Sequence, residues 1–172
     1  MNKRIIFGIS ALLMVFCLGI AVAQAAVEGI QSCKYCGMDR EKFGHSRMYI
    51  EYDDGMKVGL CSLHCAAVDL ALNIDKNPKE IKVADFNTKD LVDAEKAVWV
   101  VGGNKMGVMT KRAKWAFAKK EDAEKFVKDN GGKISSFDEA IKAAYEDMYE
   151  DSKMIREKRK MMKMKGSEHK HH

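Results

Sequence analysis

The chain has 172 residues, of which 47% are hydrophobic and 32% charged, with one proline, five cysteines and twelve methionines. That is enough apolar material for the core of one compact domain or two very small ones, and it excludes wholesale disorder, a collagen-like repeat and a disulfide-dense mini-protein. The formal charge of +5 is unevenly placed: residues 26–151 hold 20 basic and 23 acidic side chains, while the segment from Ser152 holds eight basic and two acidic. A slightly acidic body with a cationic tail is unlike a nucleic-acid-binding surface, and no nucleic-acid partner is expected.

Residues 1–25 read as an export signal, with Asn2-Lys3-Arg4, an apolar run over 5–22 and a small-residue cleavage site at Ala23-Gln24-Ala25. Cleavage after Ala25 would leave a periplasmic protein and discard Cys17. The alternative is an uncleaved membrane anchor, since 18 apolar residues sit at the lower edge of a bilayer span. Val15-Phe16 stand immediately before Cys17 where lipidation needs small residues, so lipidation there is not expected.

Beyond the signal, Met48, Ile50 and Tyr52 alternate, Asp53-Asp54-Gly55 supplies a turn, and Met56, Val58 and Leu60 alternate again, which predicts a β-hairpin. Helical spacing of Leu63, Ala66, Ala67, Leu70 and Ala71 predicts a helix over 62–73 with its first turn at Cys61. A third strand is expected over 80–86. The order then repeats without similarity of letters: strands over 97–101 and 113–117, a helix over 120–130 ending at Gly131-Gly132, and a short strand over 133–135. Ser136 and Glu139 form a capping box for a long helix whose apolar stripe is Phe137, Ile141, Ala144, Tyr145 and Met148. The expected fold class is α+β, with ββαβ-like halves at 26–90 and 91–151 and a long C-terminal helix. Residues 152–172 read as a basic, frayed tail rich in Met and His.

The chemistry concentrates in Cys33-Lys34-Tyr35-Cys36-Gly37-Met38 and in Cys61-Ser62-Leu63-His64-Cys65. Two paired-cysteine clusters separated by a hairpin form a metal-site pattern. Cys61 and Cys65, four apart, share a helix face, with His64 beside it. The helix N-terminus favours the thiolates that metals bind. Structural disulfides, which an oxidising compartment favours, and a closed four-cysteine zinc site remain alternatives. Against closed zinc stand Met38 and the glycine-rich loop carrying Met106 and Met109, because thioethers are soft ligands suited to Cu(I). His169, His171 and His172 could capture an incoming ion. His45, lone and flanked by polar residues, is expected at the surface.

Cys-x-x-Cys-Gly-Met, the hairpin with Asp-Gly, the Met106-Gly107 loop and the Gly-Gly near residue 131 together resemble the NosL family of nitrous-oxide-reductase accessory proteins, over about residues 33–138. The resemblance implies an exported Cu(I) chaperone that supplies nitrous oxide reductase, with two ββαβ-like halves related to organomercury lyase. It implies metal held by cysteine, methionine and a nitrogen or oxygen donor: Cys36 and Met38 match the family's cysteine and methionine, and Met106 falls where the family has Pro-Met-Gly, with Lys105 in place of the proline. The Cys61 and Cys65 pair lies outside the minimal family pattern and resembles a TRASH-like heavy-metal cluster. The expected metal ligands are therefore Cys33, Cys36, Met38, Cys61, His64, Cys65 and Met106, with Cu(I) as the cargo and zinc as the alternative ion. An enzyme reading, as a thiol oxidoreductase or a lyase of carbon–mercury bonds through Cys33 and Cys36, is opposed by the lack of a strand feeding the Cys-x-x-Cys into a helix.

Overall fold

The computed structural model describes residues 27–168; the signal segment and His169, His171 and His172 lie outside them. The expected hairpin is formed by β1 (Met48–Tyr52) and β2 (Lys57–Leu60), in register from Met48 opposite Leu60 to Glu51 opposite Lys57. Its turn uses Gly55 at φ +83°, a conformation glycine adopts without a Cβ clash, and the Asp54 carboxylate accepts from the Met56 amide at 2.9 Å. Then follow α1 (Leu63–Leu72), β3 (Pro78–Ala84) and β4 (Leu91–Asp93), giving an antiparallel sheet in the order β2-β1-β3-β4. Strand β4 extends the sheet beyond the three strands expected from the sequence.

The second half repeats the plan with β5 (Val98–Val101), β6 (Lys114–Phe117), α2 (Lys120–Asn130) and β7 (Lys133–Ser135), in the sheet order β6-β5-β7. In both halves the first strand of the hairpin takes the strand after the helix on its free edge. This is the repeat of element order that the sequence carries. Finally α3 (Phe137–Glu168) packs on α1 and β5. Among the described residues no helix is long and apolar enough to cross a membrane.

The halves are joined through the segment after β3. Phe86 stacks with Trp115, Phe117 and Phe126 at centroid distances of 5.1–5.7 Å, and its amide donates to the Ala116 carbonyl at 2.8 Å. Next to it, buried Asp85 accepts from the backbone amides of Asn87, Thr88 and Ala118 at 2.7–2.8 Å. Burial opposes ionisation of Asp85, yet these donors hold its carboxyl below the usual range.

Alternation fails in β6, where all four side chains are buried. Lys114 tolerates this because its Nζ reaches Asp147 at 2.6 Å and Thr110 Oγ1 at 3.2 Å. Arg112 adds contacts to Asp147 and Glu146 at 2.8 and 2.9 Å and to the Ala143 carbonyl at 3.1 Å. These contacts tie α3 to the loop before β6. The capping box is formed as expected: the Glu139 amide donates to Ser136 Oγ at 3.3 Å, and the Ser136 amide donates to Glu139 at 3.1 Å. The segment read from the sequence as a frayed tail is instead helical to Glu168, because half-buried Met154 and Ile155 face the loops that carry Cys36 and Met109.

Candidate metal centre

The first pair of cysteines lies on a closed loop. The Cys33 amide donates to the Met38 carbonyl and the Gly37 amide to the Cys33 carbonyl, both at 2.9 Å, with Gly37 at φ +73° making the turn. The Lys34 amide donates to the Gly59 carbonyl at 3.1 Å, which fastens the loop to β2. Cys61 follows β2 directly, and Cys65 lies in the first turn of α1, so the hairpin returns the second pair to the first. The Ser46 hydroxyl donates to the Cys61 carbonyl at 2.8 Å and fixes the entry to the helix.

The outcome is a cluster in which the sulfurs of Cys33, Cys36, Cys61 and Cys65 all lie within 4.8 Å of one another. Cys36 and Cys61 are 3.4 Å apart and Cys61 and Cys65 3.7 Å, and the four thiols are free. Metal–sulfur bonds of about 2.3 Å require sulfur separations of about 3.8 Å in a tetrahedral site and about 4.0 Å in a trigonal one. The cluster is therefore spaced for three- or four-coordination with little movement. Cys33, Cys61 and Cys65 are buried and Cys36 is half-buried, so Cys36 is the thiol that solvent reaches.

Four thiols this close cannot all ionise. Hydrogen bonds from Cys36, Cys61 and Cys65 push the Cys33 thiol down, and Cys36 is lowered too, its contact with Cys33 opposing and those with Cys61 and Cys65 prevailing. Cys61 and Cys65 are pushed up, first by donating to Cys33 and Cys36 and also by burial. Four sulfurs that share their protons in this way suit a soft cation, which releases those protons as it binds.

Asp69 supports this arrangement from the next turn of α1. Its buried carboxylate accepts from Tyr35 and Tyr52 at 2.6 Å and from Lys34 at 3.1 Å, so both residues between Cys33 and Cys36 are anchored to the helix that carries Cys65. Burial, then the Asp69 contact, pushes the Tyr35 phenol up and keeps it a donor. Sequence reasoning missed Asp69; an aspartate on the apolar face of a helix, five residues after His64, was the available signal.

The other predicted ligands lie around the cluster. His64 is buried, but its Nδ1 faces Asp151 of α3 at 3.6 Å, too long for a hydrogen bond, and it is not in the group of four sulfurs. Burial pushes His64 down, against the pull of Asp151. Met38 is half-buried beside Cys36, and Met106 is 81% exposed on the outer rim. Met109 is the methionine of that loop that lines the spaces on both sides of Cys36, and it stands at φ +61°. His45, expected at the surface, is half-buried and tilted against Trp115 with ring centroids 5.4 Å apart.

Comparison with known proteins agrees with this layout. No curated protein matches the chain. Among solved structures, the copper chaperone NosL from Shewanella denitrificans superposes with a TM-score of 0.55 at 25% identity, over 69% of this chain and 95% of that one. The sequence profile of the NosL family matches residues 24–145, well over half of the chain and all four cysteines of the cluster, and the chain belongs to the NosL family.

Proposed function

We propose that this protein is an exported, non-catalytic metallochaperone that carries Cu(I) as cargo on the four-cysteine cluster. The observation that carries the reading is the convergence of four free sulfurs within 4.8 Å, three buried and one open to solvent, beside thioethers. A wholly buried site would trap its ion, whereas half-buried Cys36 leaves a face for an incoming ligand. A soft ion in low coordination can be attacked there by a recipient's thiolate or thioether before its own bonds break, so it need never become free. Cys33 and Cys36 sit on a loop that is not itself fed by a strand and does not run into a helix, which favours cargo binding over thiol oxidoreduction.

Membership of the NosL family and the likeness to a copper chaperone support copper as the cargo, and the family's name supports nitrous oxide reductase, or a related periplasmic cuproenzyme, as the recipient. The signal-like first 25 residues support delivery in the periplasm. The sulfur spacing equally suits a tetrahedral zinc site, which is the second reading. Titration of the reduced protein with Cu(I) against a competing chelator separates them. Binding tighter than micromolar that weakens on Cys36→Ser is expected. Binding weaker than that, or indifferent to Cys36→Ser, sinks the copper reading, and stoichiometric zinc held in preference to copper establishes the structural site.

A further inference from the structure

A groove of about 780 Å³ opens on the far side of Cys36, between the loop before β6 and the C-terminal part of α3. Five methionines line it: Met38, Met106 and Met109 from the loops, and Met154 and Met162 from the helix. The helical contribution lies beyond residue 145, where the family profile ends, so this wall belongs to the chain's own extension. The extension is held in place rather than resting loosely. Asp151 accepts from the Lys111 amide at 3.1 Å, and Arg159 donates to the Cys36 carbonyl at 3.3 Å.

Two features separate this groove from an ordinary apolar cleft. Met109 keeps a backbone conformation that side chains other than glycine rarely adopt, at φ +61°, and such outliers gather where a side chain must be aimed. His45 lines the same space, and burial, then Lys89 and Lys105, holds its imidazole below the usual value, leaving a nitrogen lone pair available near neutral pH. Among the described residues no carboxylate lines the groove, while Lys111, Lys158 and Arg159 do. A hard divalent ion finds no oxygen anions there and meets three positive charges. Only a soft monovalent cation gains enough from thioether and imidazole to enter, and the same charges keep it weakly held.

We propose that the groove is a second metal site, a low-affinity acquisition site for Cu(I) built by Met109, Met154, Met162 and His45, from which the ion passes to the cysteine cluster through Cys36. The proposal rests on the Cu(I) reading for the direction of transfer. Cys36 is the one residue that belongs both to the cluster and to the groove. In the transfer step the Cys36 sulfur bonds to the ion as a thiolate, its proton passes to solvent, a thioether leaves, and copper stays Cu(I) throughout.

The test uses the full reduced chain labelled with ¹³C at the methionine methyls and Ag(I) as a redox-inert probe. The first equivalent should bind the thiols, and further Ag(I) should shift the Met109, Met154 and Met162 methyl signals together in a weaker, saturable step. Met154→Leu with Met162→Leu preserves side-chain volume. It should leave the first step intact, weaken the second at least tenfold and slow loading of the cluster from a Cu(I)–thiol donor. Methyl signals that stay still, or a second step of unchanged affinity in the double variant, overturn the proposal. Methyl shifts that appear with the first equivalent while the thiols remain free would uphold the groove and instead overturn the thiolate reading.

Discussion

Tyr35 donates a 2.6 Å hydrogen bond from its phenol to Asp69, which couples the middle of the Cys33–Cys36 loop to the helix bearing Cys65. Because Tyr52 and Lys34 use the same carboxylate, Asp69 is the common anchor of both halves of the cluster. Asp69→Ala leaves two hydroxyls and an ammonium without their acceptor and should destabilise the fold by about 2–4 kcal/mol in urea melts. Tyr35→Phe removes one bond and should cost about 1 kcal/mol. Both variants should weaken Cu(I) binding in the order Asp69→Ala, then Tyr35→Phe. Equal affinity in all three proteins would show that the anchor does not set the sulfur geometry.

A second prediction concerns the close approach of two glycine pairs. Gly103 sits at φ +90°, and a Cβ there would fall 2.7 Å from the Asn130 carbonyl oxygen and 2.8 Å from that of Gly131. Both obstacles are backbone, held by the 2.7 Å bond from the Asn104 amide to Asn130. Gly55 has a similar φ of +83° but open space around it. Gly103→Ala should therefore cost about 2–4 kcal/mol, against about 1 kcal/mol for Gly55→Ala, since only the first adds a steric clash to the conformational penalty. Thermal melts of the two variants side by side decide it, and equal losses would contradict the close packing.

These particulars show where the sequence was legible. The first hairpin was readable because Asp53-Asp54-Gly55 fixes its turn and a period of two runs on both sides. The start of α3 was readable because Ser136 and Glu139 serve each other locally. The four cysteines were readable as one site because spacing along a helix and across a hairpin is short-range geometry. What escaped depends on distant partners. Strand β4 has three half-buried residues whose pairing is decided by β3. The stretch after Ser152 has too few apolar residues to announce a helix, and its partners are loop methionines more than 40 residues away. Nothing near Lys114 in the sequence announces its contact with Asp147, and nothing near His64 announces that its Nδ1 faces Asp151.

Asp147 gives a pH dependence with a definite sign. Burial opposes its charge, but Arg112 and Lys114 hold its carboxyl below the ordinary value. A carboxyl lowered in the folded state stabilises fully above its unfolded pKa, about 4, and that contribution fades as pH falls through the lower folded value. Asp147→Asn should lower stability at pH 7 by about 1–3 kcal/mol and flatten the loss of stability below pH 4. An acid limb of unchanged steepness in the variant would assign acid sensitivity to other groups.

Cargo removal provides the last prediction. The cluster joins two segments, Cys33 with Cys36 and Cys61 with Cys65, that belong to separate elements, so a bound ion cross-links the folded state and has no comparable site in the unfolded one. At a free ion concentration of about 100 times Kd the linkage amounts to about 2.7 kcal/mol. For a chain of this size that corresponds to a rise in Tm of about 5–10 °C. Loading in a Cu(I) buffer that holds the free ion at about 100 times Kd should raise Tm by that much. A Cu(I)-specific chelator should reverse it where a chelator of hard divalent ions does not. Cys36→Ser should keep the unloaded Tm within about 2 °C yet lose most of the rise, because this half-buried thiol closes the site and contributes little to the core. A loaded protein that melts with the unloaded one would mean that the ion is not held between the two segments.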